Sequence, residues 1–409
     1  MSYSLFQVTG IELEYMIVSR RNGRVLPLAS NLLPVQPGTA ITDDLDDRLL
    51  LPGIHASNEL AAHVVEIKTS PPVADMALTL PSLEHAIQIL NHELDSYDAC
   101  LCPGGMHPYM NPSTEGILWP HGCGEIYQAY DRIFGCKGHG WLNLQSAHLN
   151  FPFASDHEFG LLHAAIVLLI PVLPALSAST PYCDGKATGF LNTRLAVYAN
   201  NQKICPEIAG QIVPEPILTQ SAYDKEILTN SYRAIAPFDP SGLLQHEWLN
   251  SRGAIPRFDR SAIEIRVLDL QECPRMDVAI ATLIRTSLLY LTSLGIEELS
   301  HLLSLDSHQS RVAQYQSVVQ HGFNAPLEQR SLQRLLPKTS TLGEWWQAWA
   351  DTQSIPDKVQ VDLAFLFTHG SLAQRILIQY GANPTMEELT DLVQRLTFHL
   401  SHHTTFLPE

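Results

Sequence analysis

Glu12 and Glu14 stand two residues apart in Val8–Val18, VTGIELEYMIV, with Ile11, Leu13 and Tyr15 at the intervening positions. A period of two puts both carboxylates on one face of a β-strand and the apolar side chains on the other. Two anions at that spacing repel unless a cation lies between them, so the pair lines either a solvated edge or a cation site. The pattern recurs. Ser261–Asp269 sets Ile263, Ile265 and Val267 against Glu264 and Arg266, and Val64–Thr69 sets Val65 and Ile67 against Glu66 and Lys68. The run 142–151, LNLQSAHLNF, closes with His148 and Asn150 on one parity. A single sheet could gather these on one face. Carboxylates with an occasional imidazole suit a hard cation, Mg²⁺ or Mn²⁺.

Glu12, Glu14, Glu59, Glu66, Glu264 and His148 make six possible ligands. One Mg²⁺ keeps several waters and takes one or two carboxylates, so six suit two or three ions bridged by a polyanion such as a nucleoside triphosphate. Arg266 is placed to steady a transferring phosphoryl group, or else to form a salt bridge with Glu12 or Glu14. A second cluster, His121, Cys123, Cys136 and His139, has the ligand types of tetrahedral zinc. Its spacing is only loosely finger-like and an amphipathic helix lies between, so buried thiols and loop histidines are the expectation. His399, His402 and His403 close the last helix, where cations suit the dipole. The chain has no GxxxxGK[ST], no GxGxxG and no GxSxG motif.

The elements that must position these residues belong to a chain of 409 residues, 45% apolar and 16% charged, an ordinary globular balance. The net charge of −17 comes without a basic stripe, which sets nucleic-acid binding aside. Small anionic substrates stay compatible, because a bound dication reverses the local field. The opening MSYSLFQVTG has neither a basic n-region nor an apolar h-region, so no signal peptide is expected. Leu161–Ala178 approaches membrane-spanning length but holds His163, Pro171 and Pro174, and it reads as a buried core helix broken near Pro171. Seven unpatterned cysteines suit a reducing cytoplasm.

Asn22-Gly23 signals a hairpin after the first strand. Leu33–Gly53, with its ITDDLDDR acids, reads as a long surface loop with a solvated face. The strand around Glu66 stops at Ser70-Pro71-Pro72, and Leu83, Ala86, Ile87, Leu90 and Leu94 follow at helical spacing. Ala99–Met110 reads as a strand entering a Gly-Gly loop that presents His107. Glu125–Phe134 and Met276–Leu294 read as helices. Leu176–Arg194 is dense in small and turn residues, the composition of a functional loop. Beyond Gly295 nearly everything is helical by period. The order of elements predicts an α+β fold with an antiparallel or mixed sheet, residues 1–296 as a catalytic domain and 297–409 as a helical region packed on it.

Six segments, GIELEY, ELAAHVVEIKT, GGMHP, SAHLN, LSASTPYCDGKATGFLNTR and RFDRSAIEIRVLD, follow one another between Gly10 and Leu291. In that order they resemble the carboxylate–amine ligases of glutamate–cysteine ligase family 2. The resemblance implies a glutamine-synthetase-like fold: an antiparallel sheet shaped as an open funnel, with ATP and Mg²⁺ or Mn²⁺ on its acidic concave face and helices outside. Carried over by position, it implies metal ligands at Glu12, Glu14, Glu59, Glu66, His148 and Glu264. It places Arg266 on the transferred phosphate, with Glu12 and Glu264 at the catalytic centre, and Arg252 at the nucleotide phosphates. Arg194 would meet the substrate carboxylate, with His107, Tyr182 and Asn150 in the substrate pocket. SAHLN departs from the family's usual His-Val-His-Val, because Ser146 stands at the first His; the ligand His148 is kept and the substrate-side chemistry is left open.

The implied reaction activates a carboxylate, glutamate by resemblance, as an acyl phosphate that an amine then attacks. Its partners are small molecules, with neither nucleic acid nor membrane, and a homodimer is the default assembly. Two other classes stay open. One is a metal-dependent hydrolase using His107, His121, His139 or His148, which would need metal but no ATP. The other is a non-catalytic small-molecule-binding relative.

Overall fold

A computed structural model describes residues 3–33 and 46–409. In chain order its strands are Gly10–Ser19 (β1), Asp47–Leu51 (β2), Ile54–Asn58 (β3), Val64–Thr69 (β4) and Ala99–Cys102 (β5). Ser146–Pro152 (β6), Tyr182–Cys183 (β7), Lys186–Ala187 (β8), Ala254–Arg257 (β9) and Ala262–Asp269 (β10) follow. Eight of them form one sheet in the order β2-β3-β4-β1-β6-β10-β9, with β5 paired to the end of β1; every pairing is antiparallel. β7 and β8 make a separate small hairpin.

The register does what the alternation predicts. Glu12 lies opposite Lys68 on one side and His148 on the other, Glu14 opposite Glu66, and Glu264 opposite Asn150. Since side chains directly opposite share a face, these acids meet on one surface of the sheet. Between Ile265 and Leu268 the β10–β6 register shifts, so Arg266 and Val267 together oppose His148. Such a bulge re-aims a side chain without ending the strand. The reverse face carries Ile11, Leu13, Tyr15, Val65, Ile67, Leu149, Ile263 and Ile265, all fully buried. They share one core with the helices Met76–Leu94, Asp156–Leu169 and Pro274–Ser293.

Local chemistry sets the helix ends. Asp75 accepts from Ala77 N at the start of Met76–Leu94, and Ser155 accepts from Glu158 N at the start of Asp156–Leu169. The apolar run 161–178 is a buried helix that ends at Leu169, just before Pro171, as expected. Among the described residues no single helix is long and apolar enough to cross a membrane. The turn at Asn22-Gly23 is present, with Gly23 at φ +66° and Ser19 N donating to Arg24 O. It closes on an isolated bridge, Val18 to Val25, in place of a full hairpin.

One expectation is corrected. The stretch taken as a surface loop contains β2, which pairs with β3 at the sheet edge; its residues 34–45, including Asp43 and Asp44, lie outside the described residues. DRLLL has no alternation of its own, and the pairing partner makes the strand. The segments after Gly295 are helical; the helices as far as His369 join the same core, while Leu372–Tyr380 and Met386–His402 pack mainly in a separate cluster with Tyr182. Trp346 Nε1 donates to Val172 O at 3.1 Å and Trp349 Nε1 to Ser287 Oγ at 2.8 Å. The buried pair Arg375–Glu272, at 2.6 Å, also holds the tail, because Arg375 Nη1 donates to Phe406 O.

Candidate active site

The polar face of the sheet is the floor of a cavity of about 1180 Å³. Glu12, Glu14, Glu59, Glu66, Glu264, His148, Lys68, Ser146 and Arg266 line it from the strands and their ends. Tyr127 and Tyr130 of the helix Gly124–Phe134, with Trp141, Tyr198 and Trp248, line it from helices and turns. Tyr130 bridges Trp141 and Trp248 with ring centroids 5.5 and 6.1 Å away, and His246 stacks on Trp248 at 10°. The floor is therefore anionic and the wall aromatic.

His148 organises the floor. Its Nδ1 is 3.1 Å from Glu12 Oε2 and 3.8 Å from Glu264 Oε1; its Nε2 is 2.8 Å from Ser146 Oγ and 3.7 Å from Glu14 Oε1. Ser146 donates to Glu14 Oε2 twice, from N at 2.6 Å and Oγ at 2.9 Å. The serine that departs from the family pattern thus fixes a carboxylate and the imidazole together. Asn150 Nδ2 donates to Glu12 Oε1 at 3.0 Å. Ser57 Oγ donates to Glu66 Oε1 at 2.9 Å, and Lys68 Nζ lies 3.3 Å from the same oxygen. Arg266 Nε is 3.0 Å from Glu264 Oε1.

The carboxyls do not all ionise readily. Burial, then the charges of Glu14 and Glu66, hold Glu59 well above the ordinary carboxylate range. Burial, then Glu12, push Glu66 up to about 7. At Glu12 burial raises the value, but the hydrogen bond and charge of His148 outweigh it and bring Glu12 to about 2. His148 moves the opposite way: burial disfavours its charge, while Glu14, Glu12 and Glu264 overcome that and raise it. Such a face is short of positive charge, and the donors fit a hard cation. Glu12, Glu66 and His148 each offer an atom within 4.8 Å of the others, as do Glu14, Glu59 and Glu66.

Arg194 also reaches the cavity. The loop 176–194 wraps Asp269 at the end of β10: Ser179 N and Thr180 Oγ1 donate to Asp269 Oδ2, and Arg194 Nε donates to Oδ1 at 2.6 Å. Gly105 lets a second loop approach the same point, since a Cβ there would lie 2.8 Å from Asp269 Cγ and Thr180 Cγ2.

Four predicted site residues do not line the cavity. His107 is buried, with Nε2 2.7 Å from Gly23 O and its backbone held by Asn143, because the Gly-Gly loop folds inward. Tyr182 donates to Gly381 O at 2.5 Å and packs in a separate cluster with Leu389 and Leu392. Arg252 forks onto Glu215 at 2.6 and 2.9 Å and spends Nη1 on the carbonyls of Glu207 and Ile208. Asn150 positions Glu12. In place of Arg252, Arg257 and Arg260 line the cavity, Arg257 Nη1 lying 3.9 Å from Glu264 Oε2. Both stand in RFDRSAIEIR, where three arginines in ten residues were the available signal.

The zinc candidates do not gather among the described residues. His121 Nε2 is 3.2 Å from Ser30 Oγ, while His139 lies with Cys183 and Asp184. Of the four histidines a hydrolase could use, only His148 lines the cavity.

The profile of the family described as Glutamate-cysteine ligase family 2 (GCS2) matches residues 8–395, and the chain belongs to that family. By class it is a glutamate–cysteine ligase-like enzyme, a ligase that forms carbon–nitrogen bonds. An uncharacterised protein of Archaeoglobus fulgidus is 36% identical over 279 residues, covering 68% of this chain and 73% of that one. A Cupriavidus metallidurans protein carrying the provisional name glutamate–cysteine ligase 2 is 28% identical over 46% of this chain and 45% of its own length. The crystal structure of Francisella tularensis glutamate–cysteine ligase in complex with AMP superposes with a TM-score of 0.62 at 14% identity, over 98% of this chain and 90% of that one. A bifunctional glutathione synthetase from Pasteurella multocida gives 0.58 at 15%, over 96% and 53%. At these identities the likeness to the two structures is one of fold.

Proposed function

We propose that the protein joins the γ-carboxylate of glutamate to an amine at the expense of ATP, through an acyl phosphate. The observation that carries this is the convergence of five carboxylates, His148, Arg266 and Arg194 on one cavity. The donor set fits Mg²⁺ or Mn²⁺, which Glu12, Glu14, Glu59, Glu66, Glu264 and His148 would hold. When bound, the ions supply positive charge against the triphosphate and neutralise charge developing in phosphoryl transfer.

The chain's own groups do the rest by position and charge. Arg194 has N–H donors left after Asp269 and the Arg266 carbonyl, and these suit the substrate carboxylate. A carboxylate oxygen forms the new bond to the γ-phosphorus as the bond to the β-phosphate oxygen breaks and ADP leaves. Arg266 steadies the equatorial oxygens, with Arg257 and Arg260 beside it. The amine nitrogen then attacks the acyl carbon, the carbon–oxygen bond breaks, phosphate departs with that oxygen, and the amine's proton is released. No nucleophilic side chain is required, which is why carboxylates dominate the site.

Phosphate release from Mg-ATP, measured with glutamate across a panel of amino acids and amines, tests the proposal. Release that needs both glutamate and one particular amine is expected. Turnover with a different acid overturns glutamate, and no turnover with any pair together with no Mg-ATP binding overturns the ligase.

A further inference from the structure

Among the described residues that line the acidic floor, Lys68 is the one ammonium. It faces Glu12 across β1–β4 and His55 across β3–β4, so it stands in the same row as His148. It is not a solvated surface lysine: its side chain is only 18% exposed, and Nζ donates to Ser57 Oγ at 2.8 Å. The ammonium lies 3.3 Å from Glu66 Oε1 and 3.8 Å from Asp47 Oδ1. Asp47 is in turn 2.7 Å from His55 Nδ1. Lys68 thus occupies the gap between two carboxylates at the β2–β4 end of the floor.

Two other groups of donors, Glu12–Glu66–His148 and Glu14–Glu59–Glu66, share Glu66, the carboxylate whose Oε1 also has the Lys68 ammonium at 3.3 Å. Glu264 belongs to neither group and already has Arg266 at 3.0 Å. A divalent ion bound to Glu66 Oε1 from the Asp47 side would sit about 2–2.5 Å from that oxygen, in the space the ammonium fills. An ammonium and a dication cannot share one carboxylate oxygen there without strong repulsion.

We propose that Lys68 is a protein-borne cation standing in for one divalent ion, so that the floor takes two divalent ions plus Lys68 in place of three ions. The inference rests on the ligase reading above. It assigns Lys68 a positioning role: it fills the outer end of the floor permanently and presents fixed positive charge to the phosphate chain. A lysine is a compact point charge on a flexible stem, suited to replace an ion where geometry is loose.

The test counts bound Mn²⁺ per chain by equilibrium dialysis against Mn²⁺ and a saturating non-hydrolysable β,γ-imido analogue of ATP, as the excess of Mn²⁺ on the protein side. Two ions are expected for the native protein and for Lys68→Arg. Three are expected for Lys68→Ala, which leaves Glu66 and Asp47 uncompensated and opens the space. Three ions in the native protein overturn the proposal without any variant. So does a folded Lys68→Ala or Lys68→Gln, checked by thermal melt, that stays at two. No Mn²⁺ and no analogue bound to the native protein would overturn the ligase reading itself, an outcome distinct from a wrong count.

Discussion

The two sides of the cavity are built on opposite terms. The floor is strand-borne and strained electrostatically, with five carboxylates crowded around one imidazole and two of them held up by burial and mutual repulsion. The wall is helix- and turn-borne and satisfied: Tyr127 meets Asn58, Tyr198 OH donates to Ser251 O, and the rings pack on one another. A face that is costly to assemble without a cation is one whose stability and chemistry depend on what binds it. A satisfied wall shapes the cavity and selects what enters.

Breaking the floor should therefore cost turnover, and breaking the wall should cost recognition. Glu12→Gln removes the acid that anchors His148 and Asn150, and kcat is expected to fall by about 10³-fold or more while the thermal melt stays cooperative. Ser146→Ala leaves every ligand in place but frees Glu14 and His148; a loss of about 10–100-fold in metal affinity or kcat is expected, seen by Mn²⁺ titration and steady-state rates. On the wall, Trp248→Ala should raise one substrate's KM about tenfold with kcat nearly kept, the signature of lost uniform binding.

The strain itself can be measured. Glu66 has a folded pKa of about 7 against an ordinary 4.5, so between those values the folded protein holds a proton that the unfolded chain has lost. The stability this supplies is full below pH 4.5 and is lost as pH rises through 7. Glu66→Gln lacks that loss, so in metal-free buffer its stability relative to the native protein should grow from pH 4.5 to above 7 in urea unfolding. At the small end, Tyr182→Phe removes one hydrogen bond outside the cavity. It should cost about 1 kcal/mol of stability and leave KM unchanged.

The floor was legible because strand parity is a local property. Glu12, Glu14, Glu66, His148 and Glu264 each sit between apolar residues, and antiparallel pairing brings that parity to one face. What parity cannot say is which way a loop turns. His107 follows a Gly-Gly pair that reads as a presenting loop, yet Gly105 is small so that the loop can close on Asp269. Arg252 and Arg257 differ by five positions, and the partner Glu215, 37 residues before Arg252, holds Arg252 out of the cavity lining. The aromatic wall draws Tyr130, Trp141 and Trp248 from three segments whose meeting depends on the whole fold. β2 was missed because its partner, not its own pattern, makes it a strand.

The most direct test of the account follows an oxygen atom. With glutamate labelled by ¹⁸O in its γ-carboxylate, ATP and the accepted amine, the phosphate released should carry one ¹⁸O for each amide formed, read by mass spectrometry. Phosphate that carries no ¹⁸O, its oxygen coming from the unlabelled solvent, would contradict carboxylate activation on the acidic floor.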